Sequence, residues 1–472
     1  MVRKWVPWFA CALLCWLPAG VAWADGAVYA MTNALGNNEV LVYHRGADGN
    51  LTSTPIQTIA TGGGGSGLQL AGVDALGSAG SIQLDEGHHL LFVVNTESAH
   101  ENNGVGAYNT DCQEGSITSF LVGADGTLTF ADRVFSRGLF PNSLTVKRRG
   151  HRDGDRRRHR DDDDRAQSRD LLYVLNAGGP QTPVCNLQPA SANTPNITGF
   201  KVDRFGRMTP VLGSTQAIDP GPAVVDGAGE TCSRESAEGF AALTGAPAAD
   251  FQCGLNPPSF PRSAAQVRFT PDGDQLVVTV KGTNTIYVFH VDDKGRAEDP
   301  VATQASLPEL PGFFGFTFDR NENLLVTELF GAATTIPQGG AGALSSFTIS
   351  RSGDLGPISS HIPDGGTAAC WITLEPIMGH YVYVSNNLSL SISSYVVAGD
   401  SQVTLLNAVA ASGNGPNDLA TAVENGASFL YVVNAGSGTV GAFRILTDGS
   451  LTALTGGEGL PVNSSAQGLA AF

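Results

Sequence analysis

The sequence predicts an all-β fold, a seven-bladed β-propeller closed by a one-plus-three blade. Three observations carry that prediction. An apolar run rich in Val, Leu and Tyr that ends in a polar residue occurs seven times, a Gly-containing turn follows most copies, and no sustained helical period appears beyond the N-terminus. A strand-and-turn unit of this size cannot bury its own apolar face, so the copies must stack on one another.

The second strands define the repeat. LYVVN ends at Asn434, followed by the strand-like TVGAFRI and the hairpin Asp448-Gly449. VYAMTN ends at Asn33, LFVVN at Asn95, LYVLN at Asn176 and YVYVSN at Asn386, with LVVTVK ending at Lys281 and LLVTE at Glu328 as degenerate copies. The compact copies are 47 to 48 residues apart, which suits four strands and short hairpins. Asp48-Gly49 and Asp125-Gly126 repeat the outer turn, where Gly takes a positive φ without steric cost. At the ends of the chain, SSAQGLAAF reads as an inner strand with no blade of its own, while AVYAMTN reads as a second strand. Pairing the two closes the ring.

Residues 1–24 read as a signal peptide: Arg3 and Lys4 form a basic n-region, an apolar stretch follows from Trp8 to Pro18, and Ala22-Trp23-Ala24 offers small residues for cleavage. The expectation is a secreted or periplasmic monomer, without membrane insertion and with one domain over residues 25–472. Export places Cys112, Cys185, Cys232, Cys253 and Cys370 in an oxidising compartment. Cys232 and Cys253 share one insertion, and Cys112 and Cys185 occupy corresponding loops of adjacent blades, so both are disulfide candidates. Cys370, in the inner-strand pattern AACWITL, is expected to be a free buried thiol.

Residues 147–170 interrupt blade 3 with ten Lys/Arg and seven Asp, a composition that predicts a solvated, disordered insert. Setting aside this insert and Arg3 and Lys4 leaves 15 basic against 37 acidic residues. So acidic a body excludes nucleic acid and anionic membranes as partners. Zinc-type Cys/His spacing, HExxH, GxSxG and a phosphate loop are all absent from the sequence, so no metal or cofactor is expected. His88-His89 follow a turn on the face opposite the channel mouth and read as an exposed pair.

The loops after each second strand and those entering each inner strand share one face of a propeller, and the long insertions collect there, the largest being 214–262. Loops that vary on a repeating scaffold are the natural place for recognition. A small-molecule or protein ligand is therefore expected at the channel mouth, where Asn95 and Asn176 end their strands as candidate contacts.

The phrases at 430–454, VRFTPDG at Val267 to Gly273, and the opening VYAMTN with NEVLVYHR resemble the lactonase-type seven-bladed propeller family, which includes 6-phosphogluconolactonase and carboxymuconate-cyclase types. Surface-layer and YncE-like propellers share these phrases, so they specify fold better than chemistry. The resemblance implies a Pro-Arg-His or Pro-His phrase entering an inner strand, and Asn-Glu after a second strand. Here Pro261-Arg262-Ser263 matches through Arg262 with Ser263 in place of His, and Lys281 replaces the acid. By this likeness Glu97, His100 and Glu328 are the candidate bases for a lactone hydrolase or cyclase, and Arg262 and Lys281 the candidate anion holders. The missing His phrase favours non-catalytic binding over hydrolysis.

Overall fold

The computed structural model describes residues 26–66, 74, 76–96, 101–102, 105–106, 114–148, 170–178, 194–218, 224–225, 231–232, 264–281, 283–304, 312–329, 342–462 and 466–472. The signal peptide, the insert at 149–169, most of the 214–262 insertion, and Glu97, His100, Arg262, Cys112, Cys185 and Cys253 lie outside them. Only the backbone of Cys232 is described, so neither expected disulfide can be placed.

The described residues form seven antiparallel blades, six of four strands and blade 3 with a short fifth strand, Gln216–Ala217, paired to Asn196–Val202. Every second strand is buried on both faces between neighbouring blades; Leu90–Asn95, Gln275–Val280 and Leu324–Glu328 are buried at every position. This double burial explains why those phrases are continuous apolar runs rather than alternating ones. Outer strands such as Gln57–Ala60 and Val301–Gln304 alternate half-buried with exposed residues, as one-sided strands do.

The Tyr of the repeated phrase is a blade-to-blade latch. The hydroxyls of Tyr29, Tyr173, Tyr383 and Tyr431 donate to the hairpin carbonyls of Gly126, Gly295, Gly449 and Gly49, each in the following blade, at 2.8–2.9 Å. Burial pushes all four phenols well above their ordinary pKa, so they remain donors. Gly49 has φ of 85° and packs so closely on Phe429 that a Cβ would lie 2.2 Å from its ring. Only Gly satisfies both the turn and the latch there.

Closure follows the predicted plan. Leu469–Ala471 pairs with Ala30, Tyr29 and Val28 as the inner strand of blade 1. Phe472 stacks on Tyr29 with ring centroids 6.2 Å apart, and its carbonyl accepts from Nε of the buried Arg45 at 2.8 Å. Arg45 also meets Glu424 of blade 7 at 3.3 Å, binding first and last blades through one cation.

Candidate functional site

The inner strands of blades 3 to 7 share an irregularity. Each slips register near its mouth end, at Pro141/Ser143, Ala264/Gln266, Phe313/Phe316, Ala369/Trp371 and Pro416/Leu419. A bulge of this kind re-aims the extra residue. The extra residues are Asn142, Ala265, Phe314 with Gly315, Cys370, and Asn417 with Asp418. Ala265, Phe314, Cys370, Trp371 and Leu419 then pack in one cluster around Ala79.

Ala79 belongs to the segment that enters blade 2, and this segment fills the centre of the ring. The Ala79 amide donates to Ala265 O at 3.0 Å, Ser78 Oγ donates to Asn142 O at 2.7 Å, and Ser78 O accepts from Trp371 Nε1 at 2.9 Å. Gln467, beside the closing strand, accepts from the Leu76 amide at 3.1 Å and donates to Ser78 O. Lys281 Nζ donates to Gly77 O and lies 4.9 Å from the Phe314 ring centre. Partners on blades 3, 4 and 6 and on the closing strand surround the axis, so residues 76–80 cross it as a plug. Leu76 and Ser78 are fully buried.

Four ionisable groups are buried at the channel centre. Burial drives the Asp74 carboxyl up, the Lys281 charge partly opposing it, and burial drives Lys281 down, Asp74 partly opposing. Asp418 is pushed up to about 8, by burial first and then by the charge of Asp74. The shift favours the protonated form of Asp418, which makes it a poorer general base than an ordinary carboxylate. Cys370 is a free buried thiol, raised well above its ordinary pKa chiefly by burial. Asp74 Oδ2, Asp418 Oδ2 and Asn142 Oδ1 are buried without a hydrogen-bond partner among the described residues.

The residues expected from sequence are distributed differently. Lys281 stands at the channel centre, but 2 % exposed and bonded to the plug rather than open at an entrance. Glu328 is fully buried within blade 5, where it accepts from Ser345 Oγ at 2.5 Å and pairs with His361 Nδ1 at 2.6 Å. His361 sits at a bulge with φ of 54°. Asn95 is also fully buried: its Nδ2 donates to Thr118 Oγ1, and its Oδ1 accepts from Asn38 and Thr61. Asn176 donates to Ser136 O and Asn196 Oδ1. These Asn side chains tie strand ends to neighbouring loops. His88 and His89 are both exposed as expected, and His88 Nδ1 also lies between Asp85 and Asp170.

Asp74 and Asp418 escaped the sequence reading because each looks like an ordinary turn acid. The available signal was Asp418 inside the apolar inner-strand pattern PNDLATAV. For Glu328 the expectation is structural: Glu328→Leu leaves Ser345 and His361 without their acceptor and should cost about 1–3 kcal/mol in urea unfolding. An unchanged midpoint would show that this network contributes nothing.

Residues 328–458 match the family described as "Lactonase, 7-bladed beta-propeller". No curated protein matches the sequence. Among solved structures, the periplasmic gluconolactonase of Pseudomonas aeruginosa is 15 % identical with a TM-score of 0.58, covering 95 % of this chain and 99 % of that one. A protein from Lactobacillus plantarum is 16 % identical with a TM-score of 0.58, over 95 % and 99 %. A putative 6-phosphogluconolactonase from Bacteroides fragilis is 13 % identical with a TM-score of 0.54, over 96 % and 98 %. In sequence across residues 328–458, and in fold across nearly its whole length, the chain is similar to the lactonase-type seven-bladed β-propellers.

Proposed function

We propose that this is an exported lactonase-like propeller that binds a ligand through its loop-rich mouth face without turning it over. The plug formed by residues 76–80 is the observation that carries this reading. Hydrolysis requires an ionised base with access to water and substrate. Burial shifts the Asp418 carboxyl toward its protonated form, and Asp74 and Lys281 are buried beside the plug. Recognition then falls to the loops around the mouth. Export is supported by the signal-peptide pattern of residues 1–24 and by the periplasmic gluconolactonase of similar fold.

A hydrolase reading is kept by one feature, the proximity of the Asp74 carboxylate to the Lys281 cation. The two readings separate on a panel of sugar lactones, including gluconolactone and 6-phosphogluconolactone, assayed with the mature protein. The binding reading expects no rate above spontaneous hydrolysis, together with a thermal shift by at least one lactone or its open acid. Turnover above the spontaneous rate overturns it. If that turnover falls by roughly 10² or more in Asp74→Asn, the hydrolase reading takes its place.

A further inference from the structure

On the face opposite the mouth, the first hairpin of blade 2 lies against both ends of the charged insert of blade 3. Asp85 ends the inner strand Ile82–Asp85, and His88 follows in the turn. Asp170 opens the strand Asp170–Asn176, and Arg148 follows Pro141–Lys147. His88 Nδ1 is 3.0 Å from Asp85 Oδ2 and 2.7 Å from Asp170 Oδ2. One donor atom from each of the three residues lies within 4.8 Å of the other two. Nε of Arg148 donates to the remaining oxygen of Asp85, which also accepts from the Gly87 amide at 3.2 Å.

A bare ion-pair network explains this arrangement poorly. The Nδ1 atom carries at most one proton, yet it stands within hydrogen-bonding distance of two carboxylates on different blades, which one proton can serve only by a shared, weaker three-centre bond. The carboxylate side chains are 1 % and 6 % exposed, while His88 is 38 % exposed. A divalent cation in place of that proton would satisfy the ring nitrogen and both carboxylates together. Metal-to-ligand bonds of about 2.0–2.2 Å at tetrahedral angles put neighbouring donors about 3.3–3.6 Å apart, so Nδ1 and the two carboxylate oxygens, now 3.0 and 2.7 Å from it, need to separate by about 0.3–0.9 Å. Imidazole with two carboxylates is a donor set for zinc-like borderline ions, and three protein ligands leave a coordination position for water on the exposed His88 side. Arg148 and the Gly87 amide would act behind the ligands, fixing the Asp85 carboxylate in place.

We propose that Asp85, His88 and Asp170 form a divalent transition-metal site of the zinc type, which joins blade 2 to blade 3 at the stem of the charged insert. The site uses residues far from the channel plug and does not depend on the ligand-binding reading.

The test is zinc chloride titration by calorimetry of the mature protein after EDTA dialysis, in parallel with His88→Ala, Asp170→Asn and His89→Ala. One zinc per chain is expected, with at least tenfold weaker binding in His88→Ala and Asp170→Asn and unchanged binding in His89→Ala. Circular dichroism in EDTA confirms folding, and His88→Ala, at a partly exposed side chain, serves if Asp170→Asn does not fold. No binding by the wild type at millimolar zinc overturns the proposal. So does equal affinity in His88→Ala, which would assign the metal to other histidines and leave the cluster an ion-pair network only.

Discussion

Deleting residues 468–472 should destabilise the protein by at least about 3 kcal/mol, a large part of the roughly 5–15 kcal/mol that a folded domain has in total. Two losses make up the figure. Leu469 leaves a core that it enters almost completely, worth about 2 kcal/mol. The buried Arg45 loses the Phe472 carbonyl that its Nε bonds, and an orphaned buried donor of this kind costs about 1–3 kcal/mol. Deletion also bares the edge of Gly26–Met31, now paired by Leu469–Ala471, and an open apolar edge templates association. The measurements are the urea midpoint and light scattering. Phe472→Ala is the graded control, since it removes the ring stacked on Tyr29 but keeps the carbonyl that Arg45 needs. It should cost clearly less than the deletion. A truncated protein that unfolds at the wild-type midpoint without associating would show that closure is not held by this strand.

Much of the scaffold could be read in advance because its determinants are local and repeated. A second strand buried on both sides must be apolar at every position, so LFVVN and LYVVN announce themselves as runs. In four outer hairpins, at Gly49, Gly126, Gly295 and Gly449, the Gly is required by positive φ and by the Tyr latch of the preceding blade, so a Gly recurs at a fixed offset. The unpartnered strand at the C-terminus follows from counting what the first blade lacks.

The channel centre was less legible because its determinants are neither local nor repeated. Residues 76–80, Leu-Gly-Ser-Ala-Gly, carry no period and little bulk, and read as loop. Their role depends on Asn142, Lys281, Trp371 and Gln467, contributed by separate parts of the ring. The bulges that bring Cys370 and Asp418 to the centre are register slips of single strands, which alternation of residue types does not reveal. Glu328 shows the same limit. Its strand is placed as the apolar run indicates, but its carboxylate serves Ser345 and His361 inside the blade, partners 17 and 33 residues away with no shared motif.

The buried acids give the second large effect, a dependence of stability on pH. The Asp418 carboxyl is raised to about 8 in the folded protein by burial and by the charge of Asp74, and returns to about 3.9 when unfolded. A raised acid holds its proton in the fold after the unfolded chain has lost it. Its stabilising contribution is therefore complete below about pH 4 and is lost progressively as pH rises toward 8. Each pH unit within that window costs about 1.4 kcal/mol per proton, so between pH 5 and pH 7 Asp418 alone should remove roughly 2–3 kcal/mol. Asp74, raised by burial, adds to the slope in the lower part of the window. Lys281 does not enter it, because a lysine lowered to about 8 titrates between that value and its unfolded pKa near 10.4, where it makes stability rise with pH. Asp418→Asn keeps the shape of the side chain and removes the proton. Its unfolding free energy, measured in urea at half-unit intervals from pH 5 to pH 8, should fall less steeply than that of the wild type by about one proton's slope, leaving the variant relatively more stable at pH 8 than at pH 5. Parallel profiles for the two proteins would mean that Asp418 is ionised in the fold, and with it would go the argument that this acid is unfit to act as a base.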